Sequence, residues 1–283
     1  MAAARLDSPL TAAGNGAASL VPRRRAGHGA FEIDHELRER LRPAVRFFFE
    51  RYWRVRTRGL ANVPRHGGAI LVGNHSGALP VDAAMVAYAV DDPGNPDSPR
   101  RVARVLYDRF VDGMPWLADI YRRAGGVPAR YSVAEELARR GELVVIFPEG
   151  IDGVAKLFDQ RYRLQRFATS AARLSCRYRL PVIPFAVVGA EEAYPVIGRS
   201  AEAGRLVGAP YLPITPFFPL LGPLGMLPLP SRWTLVFGPR IYLFRERRFR
   251  DGRDFDAMTE RLQRSVRLLL ERAVRERQSV LLG

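Results

Sequence analysis

The stretch Gly73 to Ala83, GNHSGALPVDA, places an imidazole, a hydroxyl and a carboxylate together behind a short apolar run, AILV at 69–72. A neutral imidazole can take a proton from an alcohol near neutral pH. A carboxylate on its other ring nitrogen fixes the tautomer and stabilises the imidazolium that forms. On that reading His75 and Asp82 are a dyad acting on a substrate hydroxyl. Asp82 has a second reading, because it precedes AAMVAYAV, where a helix N-cap belongs. Ser76 fits a hydrolase nucleophile poorly: GNHSG lacks the spacing of a Gly-x-Ser-x-Gly elbow, and adjacent His75 and Ser76 do not easily reach base-to-nucleophile geometry.

Three further groups carry chemical potential. ELVVIFPEG at 142–150 presents Glu149 and Gly150 at the carboxyl end of an apolar strand, where α/β sheets place ligand-contacting loops. A carboxylate there can bind an acceptor hydroxyl or a cation, although Pro and Gly alone would equally make a surface turn. GGVPAR at 125–130 sets Arg130 ahead of a helix start that Ser132 and Glu135 would close as a capping box. A guanidinium beside free helix N–H groups suits phosphate. Lys156, Arg161, Arg163 and Arg166 form a basic cluster behind Glu149, able to receive the phosphates of a cofactor or headgroup or simply to face water.

Positioning these residues falls to short apolar strands alternating with helices. The patterning predicts strands near 69–73, 102–106, 143–147, 182–188 and 233–237, and helices near 82–90, 114–123, 132–140, 163–177 and 254–277. Such alternation argues an α/β fold with buried strands between helices. Ahead of it, apolar positions at three- and four-residue steps from His35 to Arg58 predict a basic amphipathic helix, which either packs on the domain with its arginines in water or lays Phe47, Phe49 and Trp53 on a lipid surface. Residues 1–30 read as a disordered basic tail, 31–60 as that helix and 61–283 as the main domain. APYLPITPFFPLLGPLGMLPLP at 209–230 carries no charge and seven prolines, so it cannot be an ordinary membrane span. It is expected to pack on the core and also to touch a bilayer.

Composition narrows the partners. With 44 Lys+Arg against 29 Asp+Glu the net charge is +15, which favours an anionic partner. Lys156 is the only lysine, and the arginines are dispersed and form no nucleic-acid-reading motif, so no nucleic-acid partner is expected. Cys176 stands alone and the four histidines are scattered without an HExxH pattern, so neither a disulfide framework nor a metal site is expected. The N-terminus lacks the apolar run of a signal peptide, which points to a cytoplasmic protein.

The series NHSGALPVD, GGVPAR, FPEG and LPVIPFAVVGAEEAYP, in that order, resembles the glycerolipid acyltransferase family, the PlsC-type lysophospholipid and glycerol-phosphate acyltransferases. Within it the sequence is most similar to the monoacylglycerol and diacylglycerol acyltransferase-like branch, and the likeness runs over about residues 35–275. The resemblance implies one acyltransferase domain with a central, largely parallel or mixed sheet flanked by helices. It implies His75 and Asp82 as the catalytic dyad, deprotonating an acceptor hydroxyl that attacks the thioester of acyl-CoA or acyl-carrier protein without an acyl-enzyme. Arg130 would help bind an acceptor phosphate, Glu149 and Gly150 the acceptor, and Val182, Ile183 and Pro184 would support the acyl or acceptor site. Lys156 and Arg163 are candidates for substrate phosphates, and Ser76 and Gly77 for backbone donors to the oxyanion. The implied partners are the acyl donor, a lipid acceptor and a membrane surface, with no cofactor, on the inner face of the cell membrane. The sequence departs from the family pattern twice: six residues, against the commoner four, separate His75 from Asp82, and Ala129 precedes Arg130 where the family has an acidic or amide residue. The rival reading from another class is a catalytically idle lipid-binding protein of the same fold.

Overall fold

A computed structural model of the chain describes residues 31–76, 81–206, 208–209, 211–246, 252–277 and 279. The expected tail at 1–30 and Gly77 lie outside them. The strands are β1 Arg56–Arg58, β2 Ala69–Gly73, β3 Ala103–Tyr107, β4 Val127–Pro128, β5 Leu143–Ile146, β6 Val182–Val188, β7 Gly198–Ser200, β8 Leu212–Ile214 and β9 Thr234–Phe237. The helices are α1 His35–Arg46, α2 Val81–Asp91, α3 Pro115–Arg123, α4 Tyr131–Arg139, α5 Ile151–Val154, α6 Ser170–Tyr178, α7 Ala190–Ala193, α8 Ala201–Leu206 and α9 Gly252–Arg275.

Seven strands form one sheet in the order β1-β9-β6-β2-β5-β3-β4, and every pairing is parallel except β6 with β9. β2, β5 and β6 are buried along their whole length. Successive side chains leave such a strand on opposite faces, so both faces must be covered. Ala69 and Leu71 accordingly join the core containing α2 and the aromatics after α1. Ile70 and Val72 join the core containing α4, α6 and α9. This mixed α/β architecture places the carboxyl ends of the neighbouring strands β2 and β5 side by side. The GNHSG and FPEG segments therefore emerge next to one another.

Several local expectations are corrected. The predicted helix to Arg58 ends in a π-helical turn at Phe47–Tyr52, where the Trp53 N–H donates to the Phe48 carbonyl, and β1 follows at once. The wider turn rotates Phe49 and Trp53 inward to 6% and 2% exposure, leaving Phe47 exposed at 53%. Phe49 packs on Tyr88 with the rings tilted, and Trp53 stacks on Trp233. Arg38 and Arg42 of α1 pair with Asp91 at the end of α2, so the helix is docked on the domain.

α4 starts at Tyr131 without a side-chain cap, so Ser132 lies in its first turn and Glu135 pairs with Arg177. The helix expected from 163 begins at Ser170. The preceding residues are held to the FPEG turn by Gln165 N–H to Glu149 and Ala168 N–H to the Pro148 carbonyl. The short edge strands β1 and β4 and the β7–β8 pair were not expected. In 209–230 only Pro213, Thr215 and Gly225 are buried among the described residues, so core packing is slight. No helix among the described residues is long and apolar enough to cross a membrane.

Candidate active site

β2 ends against β6 at Gly73, where a Cβ would lie 2.3 Å from the Phe185 ring, so only glycine lets the strands close here. Asn74 then continues the ladder with its side chain. Its Nδ2 donates to the Val187 carbonyl at 3.0 Å, and its Oδ1 accepts from the Val187 N–H at 2.8 Å. A fully buried amide satisfying both groups of one strand residue fixes the segment that carries His75.

His75 is held from three sides. Its backbone N–H donates to Glu149 Oε1 at 2.9 Å, its ring stacks on Phe147 with centroids 4.3 Å apart, and its Nδ1 lies 2.7 Å from Asp82 Oδ2. A carboxylate only accepts, so the hydrogen belongs on Nδ1 and the lone pair on Nε2. Nε2 has no hydrogen-bond partner among the described residues, and His75 lines a cleft of about 210 Å³ together with Arg130, Phe147, Pro148, Gly150 and Ile151.

The N-cap reading of Asp82 is corrected: α2 starts at Val81, so Asp82 is the second residue of the helix and not its cap. Asp82 is fully buried in the first turn of α2: Oδ2 serves both the His75 ring and the Ser76 N–H at 2.9 Å, while Oδ1 accepts from the Ala83 N–H at 2.8 Å. The carboxylate thus holds the imidazole and the backbone N–H groups of Ser76 and Ala83 together.

Glu149 does not face the cleft as a ligand. It is 5% exposed, with Oε1 engaged by His75 N–H and Oε2 by the Gln165 N–H at 2.6 Å. Burial pushes its carboxyl upward, and Lys156 with the two N–H donors opposes that shift. Lys156, proposed from sequence as a phosphate ligand, is corrected too. Its ammonium is buried, 2.8 Å from Glu191 Oε1 and 3.7 Å from Glu149 Oε2, and so faces two carboxylates rather than the cleft. Glu191 is likewise pushed up by burial, against the pull of Lys156, and accepts from the Tyr162 N–H. This buried cluster forms a floor under His75.

Gly150 lines the cleft with φ +57° and ψ −142°, a conformation that favours glycine. A Cβ on Gly153 would stand 2.8 Å from Glu149 Cβ and 3.0 Å from His75 Cβ, so α5 passes directly beneath both. Arg130 reaches the cleft as expected and is exposed. Arg163 is exposed but does not line the cleft. Ser76 is buried, outside the cleft lining, with its N–H on Asp82. Val182, Ile183 and Pro184 are core residues of β6, a strand that meets the site through Val187 on Asn74 and through the Phe185 ring on Phe147. Asn74, Gln165 and Glu191 escaped the sequence reading. An amide between a strand end and the candidate histidine was a legible signal for the first, while the other two carry no local signature.

The geometry can be set beside known proteins. Residues 54–188 match the family model described as Acyltransferase. An uncharacterized protein of Mycobacterium tuberculosis is 42% identical over 202 residues, covering 71% of this chain and 56% of that protein. One of Mycobacterium leprae is 41% identical over 203 residues, covering 71% and 54%. The match therefore spans little more than half the length of these relatives. The crystal structure of the 1-acyl-sn-glycerophosphate acyltransferase PlsC from Thermotoga maritima superposes with a TM-score of 0.55 at 15% identity, covering 86% of this chain and 80% of that one. At that identity the likeness concerns the fold.

Proposed function

We propose, from the match of residues 54–188 to the Acyltransferase family model, that the protein is a glycerolipid acyltransferase, moving a fatty acyl group from a thioester donor to a lipid hydroxyl. The observation that carries the proposal is the 2.7 Å contact between His75 Nδ1 and Asp82 Oδ2 at a cleft, with Nε2 left for substrate. In this scheme Nε2 removes the proton of the acceptor hydroxyl as its oxygen attacks the thioester carbonyl. The C–O bond forms, the tetrahedral intermediate collapses with cleavage of the C–S bond, and the imidazolium returns the proton to the leaving thiolate. Asp82 keeps the productive tautomer and stabilises the transient imidazolium. The scheme needs no metal or organic cofactor.

Glu149 acts here by positioning, through the His75 backbone, rather than by binding acceptor. Gly150 shapes the cleft wall and Arg130 offers the guanidinium at its lining, suited to a phosphate of donor or acceptor. The donor is acyl-CoA or acyl-carrier protein, and the acceptor is a lysophospholipid or a mono- or diacylglycerol. An acceptor of that kind resides in a bilayer, which supports a peripheral position at a membrane surface, in this reading the inner leaflet.

The test is release of free thiol from acyl-CoA in the presence of a panel of lysophospholipid, monoacylglycerol and diacylglycerol acceptors, with the new ester identified by mass. Acceptor-dependent release that disappears in His75→Ala supports the reading. No release across the panel, with acyl-carrier protein also tried as donor, or unchanged turnover in His75→Ala, overturns it.

A further inference from the structure

Seven of the eleven most exposed large apolar residues among those described fall between 197 and 227, and five of them, Phe217, Leu220, Leu221, Leu224 and Leu227, share one loop. Leu220 and Leu224 are 84% and 69% exposed. A soluble surface does not ordinarily gather such a patch without a partner.

The backbone of the loop is built to leave water. Prolines at 213, 216, 219, 223, 228 and 230 carry no N–H to satisfy. Neighbouring N–H groups are satisfied within the loop: Thr215 to the Phe218 carbonyl, Phe217 and Phe218 to Thr215 Oγ1, Leu221 to the Phe217 carbonyl, Gly222 to the Pro219 carbonyl and Leu227 to the Leu224 carbonyl. Thr215 Oγ1 also donates across the loop to the Gly225 carbonyl at 3.0 Å. Internal satisfaction of backbone donors is what a low-dielectric surrounding demands.

The loop is also tied to its neighbours. Tyr52 donates its hydroxyl to the Pro228 carbonyl at 2.6 Å, and Tyr52 in turn lies against the exposed Phe47 ring. On the other limb, Tyr211 donates to the carbonyl of Val154, a residue of the His75 cleft. Exposed arginines accompany both anchors: Arg51 precedes Tyr52 in the chain, and Arg199 lies over the Tyr211 ring.

We propose that the 215–227 loop, with Phe47 beside it, is a preformed docking surface that enters the acyl region of a bilayer while Arg51 and Arg199 meet anionic headgroups. The charge pattern decides the occupant: an uncharged apolar tip with cations at its anchors complements an apolar slab bounded by anions. Docking there would bring the edge of the cleft toward the leaflet that holds a lipid substrate.

The test uses the full chain and phosphatidylcholine vesicles with or without phosphatidylglycerol, read by flotation without any substrate. It therefore fails or succeeds independently of acyl transfer. The wild type should float with vesicles, more strongly with the anionic lipid. The triple substitution Leu220→Ser, Leu221→Ser and Leu224→Ser should weaken binding on the order of a hundredfold, whereas Leu268→Ser, an exposed leucine on α9, should leave it unchanged. Leu224→Trp should show a blue-shifted emission on adding vesicles. The proposal is overturned by a wild type that does not float, by a folded triple variant that floats like the wild type, or by a wild-type dimer that the triple substitution converts to monomer with flotation unaltered.

Discussion

The floor beneath His75 and the 215–227 loop solve opposite problems with opposite materials. The floor packs Asn74, Asp82, Glu149, Lys156 and Glu191 at 8% exposure or less and pairs their polar atoms with backbone or with one another. The loop contains no charge, turns its backbone bonds inward and its leucines outward. Directional groups are spent where one ring must be held in one place. Non-directional apolar contact is kept for a partner without fixed geometry. The contrast predicts that substitutions in the floor will cost activity and stability, while those in the loop will leave stability nearly unchanged and act on membrane binding.

The largest effect is expected at His75. His75→Ala should lower turnover by about 10² to 10⁴-fold with little change in folding, as loss of a general base does. A drop under tenfold in acyl-transfer assays would detach the floor from chemistry. Next comes Lys156→Met, which leaves two buried carboxylates without their cation and should destabilise by about 3 to 5 kcal/mol at neutral pH, measured by urea unfolding. Its pH dependence has a defined sign. Burial raises the Glu149 and Glu191 carboxyls in the fold, so protonation favours the native state, and that contribution fades as pH rises through the folded-state values. Removing the opposing ammonium moves those values higher still. The deficit of the variant should therefore grow from pH 5 to pH 8 (on the order of a kcal/mol per pKa unit), and a deficit that shrinks over that range would contradict the pairing.

Asn74→Ala strands the N–H and C=O of Val187 and should cost about 2 to 3 kcal/mol, with a fall in kcat exceeding any change in KM. The smallest effect belongs to the loop: the triple leucine substitution should change unfolding free energy by no more than about 0.5 kcal/mol. A larger loss would mean that the loop is part of the core after all.

Much of this arrangement was legible in the sequence. The five apolar strands follow from periodicity, the order of the motifs carries the family resemblance, and the spacing of His75 and Asp82 leaves a dyad and a helix cap both open. What escaped depends on direction rather than identity. A π turn has no compositional signature separating it from an α-helix, yet it decides that Phe49 and Trp53 face the core while Phe47 does not. Lys156 looked like any basic residue in an arginine-rich loop, and only the convergence of Glu149 from the turn after β5 and Glu191 from α7 turns it inward. Glu149 lay in the expected place with a different task, because its partners His75 and Gln165 are 74 and 16 residues away in the chain.

The order of the sheet bears on where the folding unit ends. The family match closes at residue 188, the last of β6, but β6 owes one of its two neighbours to β9 at 234–237, and β1 at 56–58 pairs with β9 as well. A chain cut after 188 would open β6, VIPFAVV, into an uncovered apolar edge and leave β1 without a strand to join. Such an edge is a template for intermolecular pairing. In the intact fold the position is shielded by β9, and the outermost strand is instead RTR, whose arginines Arg56 and Arg58 are exposed there and discourage further strand addition.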